Sequence, residues 1–248
     1  MPRTRLTFAA WPAAVYAIGD IHGCLDQLHA LEEMIRADAR TIPGEKWLIT
    51  LGDYGDRGPR TDGVIQHLLD APDIGLKRFN LFGNHEKLLL DFLANPPATV
   101  NWLHWGGLHT LASYGVEVDF ADRDHRQMMR YARDFERLLP QEHRTWLETR
   151  PICLSLPGTL FVHAGIRPNL TLDQQDDEDL IWIRSPFLEA ALPRGLRVIH
   201  GHTPGPEPVV TPHRIDVDTM CFSTGVLTAV CLTPDGRHRF LQTGARSS

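Results

Sequence analysis

The sequence predicts an α/β fold with a parallel half, and three observations predict it. Apolar runs at residues 13–18, 46–51 and 76–82 each finish on a glycine followed by a polar residue: Gly19-Asp20, Gly52-Asp53 and Gly83-Asn84. Stretches of helical spacing separate these runs. The chemistry-bearing side chains fall at the ends of the runs, where open parallel sheets bind their ligands. Strand, helix, strand, helix, strand in that order is a βαβαβ unit.

Each element has its own justification. The start, with Arg3 and Arg5 before a short apolar run, resembles a signal peptide. Pro12 interrupts that run, however, and cleavage near Ala17 would remove the first strand, so a cytoplasmic chain is expected. Leu25, Leu28, Leu31 and Met34 give residues 24–38 an amphipathic helical face. Residues 61–69 form the second helix, with Thr61 as its expected cap. A helix over 86–93 follows Gly83-Asn84-His85-Glu86. After Asn95-Pro96-Pro97 the pattern turns helical and rich in Trp, Leu and Arg, interrupted by Gly106-Gly107. This predicts a helical insert over about 96–150. Strand patterns return at 152–156, 159–163, 197–202, 209–218 and 226–232. Pro234-Asp235-Gly236 makes a turn before a last strand. The acidic stretch 170–179 reads as a solvated loop.

Composition bounds the function. The 248 residues suit a single domain, 1–248, and 42% hydrophobic with 23% charged residues is ordinary for a globular chain. A net charge of -6 argues against nucleic acid and anionic membrane as partners. No apolar run approaches the ~20 residues of a membrane span. Cys24, Cys153, Cys221 and Cys231 form no C-x-x-C pair, which fits reduced thiols.

Five turns carry the chemistry: Gly19-Asp20-Ile21-His22-Gly23, Gly52-Asp53-Tyr54-Gly55-Asp56-Arg57-Gly58, Gly83-Asn84-His85-Glu86, His163-Ala164-Gly165 and Gly201-His202-Thr203. Their donors mix carboxylate, amide oxygen and imidazole, a set suited to Mn, Fe or Zn rather than Ca. The absence of thiolate argues against a structural zinc site. Each residue also has a bland reading. Asp20 and Asp53 could be helix caps, His22 and His202 buried and hydrogen-bonded only, and Arg57 a surface partner of Asp56. Arg184 could be packing, with His200 structural, Tyr54 a packing or cleft-wall residue and Glu86 a local cap.

The order of these motifs resembles the phosphoprotein phosphatase (PPP) branch of the calcineurin-like metallophosphoesterases, from Gly19 to about Thr219. The likeness is strongest to its small bacterial and phage-type serine/threonine phosphatases. Trp102 to Tyr114 and Ile181-Trp182-Ile183-Arg184 add to it. The resemblance implies a four-layer αββα sandwich and two divalent ions, Mn first. Asp20 and His22 would hold one ion, Asp53 would bridge, and Asn84, His163 and His202 would hold the other. A bridging hydroxide would attack phosphorus. His85 would protonate the leaving oxygen with Asp56 orienting it, and Arg57 and Arg184 would clamp the phosphoryl oxygens.

Three positions depart from the protein-phosphatase pattern. Phe82 stands where an arginine usually contacts phosphate, Gly55 where a β-branched residue is usual, and Met220-Cys221 where Gly-Ala is expected. Phe82 and the apolar insert point toward diadenosine tetraphosphatases, whereas Asp56 and Glu86 point away from them; loss of the arginine is expected to weaken phosphate binding. Gly55 is expected to loosen the turn carrying Asp56, and Met220 to crowd the floor of the site. The leading expectation is a serine/threonine protein phosphatase acting on a phosphoprotein or small phosphoester. Hydrolysis of dinucleoside polyphosphates is the alternative. A phosphodiesterase and a silent phosphate-binding module follow.

Overall fold

The computed structural model describes residues 2–70, 74–119 and 125–244. The chain runs β1 (Arg5–Thr7), β2 (Ala14–Ile18), α1 (Leu25–Ala39), β3 (Lys46–Thr50), α2 (Thr61–Asp70), β4 (Lys77–Asn80), α3 (Asn84–Ala94), α4 (Leu108–Ser113), α5 (His125–Leu138), α6 (Gln141–Glu148), β5 (Cys153–Leu156), β6 (Thr159–Val162), α7 (Asp177–Trp182), β7 (Arg197–His200), β8 (Val209–Val210), β9 (Arg214–Asp216), α8 (Cys221–Thr224), β10 (Thr228–Leu232) and β11 (His238–Gln242). A single π-helical turn, Leu103–Gly107, leads into α4.

The strands form two sheets, in the orders β11-β10-β2-β3-β4 and β1-β5-β6-β7-β9-β8. The predicted βαβαβ unit is present: β2, β3 and β4 pair in parallel, with Ala14 opposite Lys46 and Trp47 opposite Lys77. Strand alternation then builds the layers. Ala14, Tyr16 and Ile18 face the helices of the first layer, while Val15 and Ala17 face the second sheet. In β6, Phe161 points into the space between the sheets, and Leu160 and Val162 point outward to Ile181 and Phe187. Three apolar cores therefore separate four layers, the αββα arrangement. The insert is part of the first core: Trp102, Leu111, Tyr131, Phe135 and Trp146 pack there with Leu28 and Phe92. Residues 120–124 of the predicted insert lie outside the described residues. Among the described residues no helix is long and apolar enough to cross a membrane.

Local differences from expectation have local causes. Strand β1 lies in the segment weighed as a leader, and it pairs in parallel with β5. Three residues are too few to show a period. The run 209–218 is two short antiparallel strands, because Pro212 sits between them and cannot donate to a ladder. The acidic stretch 170–179 ends in helix α7 rather than a loop. Asp176 caps it by accepting the Glu178 amide at 3.1 Å, and Asp177, Glu178 and Asp179 occupy its first turn, where negative charge suits the helix dipole. Thr61 is a helical residue, and its hydroxyl accepts the Asp56 amide at 3.2 Å.

One buried ion cluster ties the first layer to its sheet. Glu32 on α1 accepts Arg78 Nη1 of β4 at 2.6 Å and lies 2.9 Å from His67 Nε2 of α2. Burial pushes the Glu32 carboxyl up, but the hydrogen bonds from His67 and Arg78 outweigh it and hold it at about 2, against an ordinary 4.5. A depressed carboxyl stabilises the fold fully above its unfolded value and loses that contribution as the pH falls through its folded value. Glu32→Gln should therefore cost on the order of 2–3 kcal/mol at pH 7. The gap between wild type and variant should close between pH ~4.5 and ~2. Urea unfolding at pH 7 and pH 3 checks this, and an equal gap at both would refute it.

Candidate metal centre

The site grows from strand ends that turn sharply. Of the described non-glycine residues, six take left-handed backbone, and five are predicted site residues: His22, Asp53, Asp56, Arg57 and His202, with φ between 45° and 69°. Strain of this kind persists only where the surroundings enforce it. The turns also pack backbone onto carboxylate. A Cβ on Gly83 would lie 2.3 Å from Asp53 Oδ1, and one on Gly201 would lie 2.1 Å from Asp20 Oδ1.

Asp53 sits at the centre, 1% exposed. Its Oδ2 faces His22 Nε2 at 3.6 Å and His85 Nε2 at 3.9 Å, and its Oδ1 faces His163 Nε2 at 3.4 Å. Two sets of potential ligands share it: His22, Asp53 and His85 on one side, Asp53, His163 and His202 on the other. Asn84 joins the second set, with Oδ1 2.7 Å from His163 Nε2 and 3.0 Å from His202 Nδ1. Asp20 lines the same cavity, and its carboxylate accepts the His202 amide at 3.2 Å.

The donor chemistry fits divalent cations. His22 Nδ1 lies 2.7 Å from the Gly55 carbonyl and His163 Nδ1 lies 3.1 Å from that of Leu51, which fixes both rings with Nε2 lone pairs turned inward. The His163 lone pair thus faces the lone pairs of Asn84 Oδ1, an arrangement that a shared cation satisfies. His202 Nε2 is buried without a hydrogen-bond partner. Burial pushes His22, His163 and His202 below the ordinary imidazole range, so the rings are neutral, the form in which imidazole binds a metal. Burial would raise Asp53, but electrostatic attraction toward the facing rings, His163 first and then His85, His22 and His202, lowers it. Asp20 is raised, first by burial and then by Asp218 and Asp53.

His85 stands apart from the neutral set. Its Nδ1 lies 2.5 Å from Asp56 Oδ2. Burial would lower this imidazole, but Asp53 and the Asp56 hydrogen bond outweigh it and raise it. Asp56 is itself pinned. Trp102 Nε1 donates to the same Oδ2 at 2.6 Å, Thr110 Oγ1 donates to Oδ1 at 2.6 Å, and the Asp56 amide donates back to Thr110 at 2.9 Å. Arg57 pairs with neither Asp56 oxygen. Its Nη1 lies 2.6 Å from His22 Nε2 and its Nη2 3.0 Å from His85 Nε2, over the Phe222 ring. Arg184 is exposed and donates to the His202 carbonyl at 3.0 Å. Arg57, Arg184, Trp105, Trp182 and Pro204 wall a cavity of about 290 Å³, with Asp20, Asp53, Asn84, His85 and His202 among its lining residues.

Several expectations change. Phe82 points away from the site into the outermost core, and the Arg3 guanidinium stacks on it at 3.2 Å, so it holds no phosphate position. Gly55 does not loosen its turn, because Thr61 and Thr110 fill the space a side chain would take and grip Asp56 from there. Met220 and Cys221 do not line the cavity. Met220 precedes α8, and Cys221 is buried in the first core. Tyr54 is fully buried against Trp146 rather than at a cleft wall. His200 is structural, with its ring against Phe187.

Reading from sequence missed Trp102, Thr110, Glu86 and Asp218 as individual site residues. Glu86 does more than cap α3: its carboxylate accepts the amides of Asp53 at 2.8 Å, Tyr54 at 2.8 Å and Gly83 at 2.9 Å. Its place three residues after a strand-end glycine is the available signal. Equilibrium dialysis with Mn should find two ions per wild-type chain, about one for His202→Ala, and neither held tightly by Asp53→Asn. Two ions retained by Asp53→Asn would rule out the shared role of that residue.

A model of the calcineurin-like phosphoesterase family matches residues 13–227. The chain is 29% identical over 232 residues to the asymmetrical bis(5'-nucleosyl)-tetraphosphatase PrpE of Bacillus velezensis, covering 85% of this chain and 86% of that one. It is 30% identical over 155 residues to the symmetrical bis(5'-nucleosyl)-tetraphosphatase of Methylococcus capsulatus. That match covers 62% of this chain and only 44% of the other, so the chain spans under half the length of that relative. A crystal structure provisionally named a diadenosine tetraphosphatase superposes with a TM-score of 0.68 at 20% identity, over 98% of this chain and 99% of that one. The family match runs from the first strand of the βαβαβ unit past the last predicted ligand, and on that match the chain belongs to the calcineurin-like phosphoesterases.

Proposed function

We propose that this phosphoesterase hydrolyses dinucleoside polyphosphates, using a dinuclear divalent centre with Mn as the first ion to test. The observation that carries the reading is the cavity itself. Metal-ligating groups line it, two arginines border it, and two tryptophans form its apolar side. A polyphosphate chain suits the arginines and a nucleoside suits the indoles. The names of the relatives, one of them matched over 85% of this chain, support the same choice over the protein-phosphatase expectation. One observation keeps that expectation as a second reading: the Asp56–His85 pair, which the sequence pattern associates with protein phosphatases.

In this proposal Asp20, His22 and Asp53 would hold one ion, and Asp53, Asn84, His163 and His202 would hold the other. Bound divalent ions supply Lewis acidity and a water nucleophile at neutral pH. Arg57 and Arg184 bind and orient phosphoryl oxygens, to which a guanidinium fork donates in pairs. His85 gives its Nε2 proton to the departing oxygen, and the Asp56 carboxylate on Nδ1 keeps the ring aimed and protonated. The substrate is a small molecule met in the cytoplasm.

Mn-reconstituted protein should release nucleotide products from diadenosine tetraphosphate faster than phosphate from a phosphothreonine peptide, with Asp53→Asn as the blank. Faster turnover of the peptide would reverse the choice. Trp102→Phe keeps an aromatic side chain in the core and removes the N–H on Asp56. It should lower kcat about 10-fold and leave KM within about twofold, since a hydrogen bond to a charged group contributes roughly 1.5–3 kcal/mol. An unchanged kcat would show that Asp56 needs no help from the insert.

A further inference from the structure

We infer that Trp105 and Trp182 form the nucleobase subsite of this cleft, with the phosphates of the same nucleotide directed to Arg57 and Arg184. The inference rests on the dinucleoside reading for its choice of ligand and goes beyond it in assigning the base-binding residues. Trp105 is 49% exposed, the most exposed of the large apolar side chains described. Its neighbour in the turn, Trp102, is fully buried, so the sequence places one indole in the core and leaves the other in the cleft.

The geometry suits a flat heterocycle. The Trp105 and Trp182 ring centroids lie 6.4 Å apart at 68°, an edge-to-face corner. A base laid on one indole meets the other at its edge, which uses both the face and the rim of the aromatic quadrupole. Trp182 is fixed from behind, with its ring at 88° to His202 and a centroid separation of 6.0 Å. Trp105 is fixed through its neighbour. Gly106, at φ 118°, accepts the Arg57 amide at 3.2 Å, and a Cβ there would lie 2.6 Å from that nitrogen. The stacking surface and the phosphate clamp are thus adjacent in space although far apart in sequence. Trp182 and Arg184, by contrast, are separated by only one residue on the chain. Each indole comes with its own arginine.

Calorimetric titration of the Mn-loaded protein with ADP and with inorganic pyrophosphate tests this, because the two share phosphates and differ in the nucleoside. Trp105→Ala should weaken ADP about 10-fold and leave pyrophosphate within about twofold, and Trp105→Phe should restore most of the ADP affinity, as expected for base–aromatic stacking. The subsite is refuted if ADP affinity is unchanged in Trp105→Ala, or if pyrophosphate weakens in step with ADP. Failure of the substrate reading is distinguishable. Wild type that cleaves no dinucleoside tetraphosphate but shows this binding pattern keeps the base subsite and loses the proposed reaction. Cleavage with binding indifferent to Trp105 does the reverse.

Discussion

The buried carboxylate of Asp53 is the constraint on which the rest depends. A lone anion at that depth would take up a proton, since transfer out of water penalises the charged form most. It remains ionised because four histidines converge on it, each from a different turn. Burial keeps His22, His163 and His202 neutral, whereas Asp53 and the hydrogen bond to Asp56 raise His85. This arrangement is costly without a cation and favourable with one. The left-handed backbone at His22, Asp53 and His202 is the local strain that such convergence requires. Glu86 holds the arrangement from below, accepting the amides on both sides of the junction between the Asp53 turn and the Gly83 turn.

The helical insert belongs to the chemistry as much as to the core. Trp102 and Thr110 each donate to one oxygen of Asp56, and Gly106 packs against the backbone of Arg57. A segment that sequence alone places beside the site is therefore what fixes Asp56, the partner of His85, and the backbone of Arg57. The packing of Trp102 against Phe92 and Phe135 explains the rigidity of that support: the indole cannot leave Asp56 without disturbing the first core.

The parts of this molecule legible in sequence were those with a period or a repeated local context. The parallel β2-β3-β4 unit and helices α1 to α3 follow from apolar spacing, and the candidate metal ligands follow from glycine-flanked polar turns at strand ends. Signals that depend on long-range direction were not legible. Nothing in the run around Phe82 says that its ring faces the outermost core. Nothing around Trp102 says that its N–H meets a carboxylate 46 residues away. The end of the acidic stretch 170–179 reads as loop because the same residues that suit water also suit a helix N-terminus, and only the capping geometry at Asp176 separates the two.

Phe82 shows how a residue's type can mislead when its direction is unknown. An apolar residue at a phosphate-binding position implies weakened phosphate binding only if the side chain still faces the phosphate. Here the ring lies under Arg3, whose Nη1 is itself anchored on the carbonyls of Glu148 and Arg150, and the position has been absorbed into the fold. The cleft therefore relies on Arg57 and Arg184 for positive charge from side chains that line it. Arg57 lies deep, against His22 and His85, whereas Arg184 is exposed beyond α7. One cation at the reacting end and one nearer solvent match a substrate that carries phosphate along its length. A phosphomonoester on a protein presents its charge at a single point and gives the outer arginine less to bind.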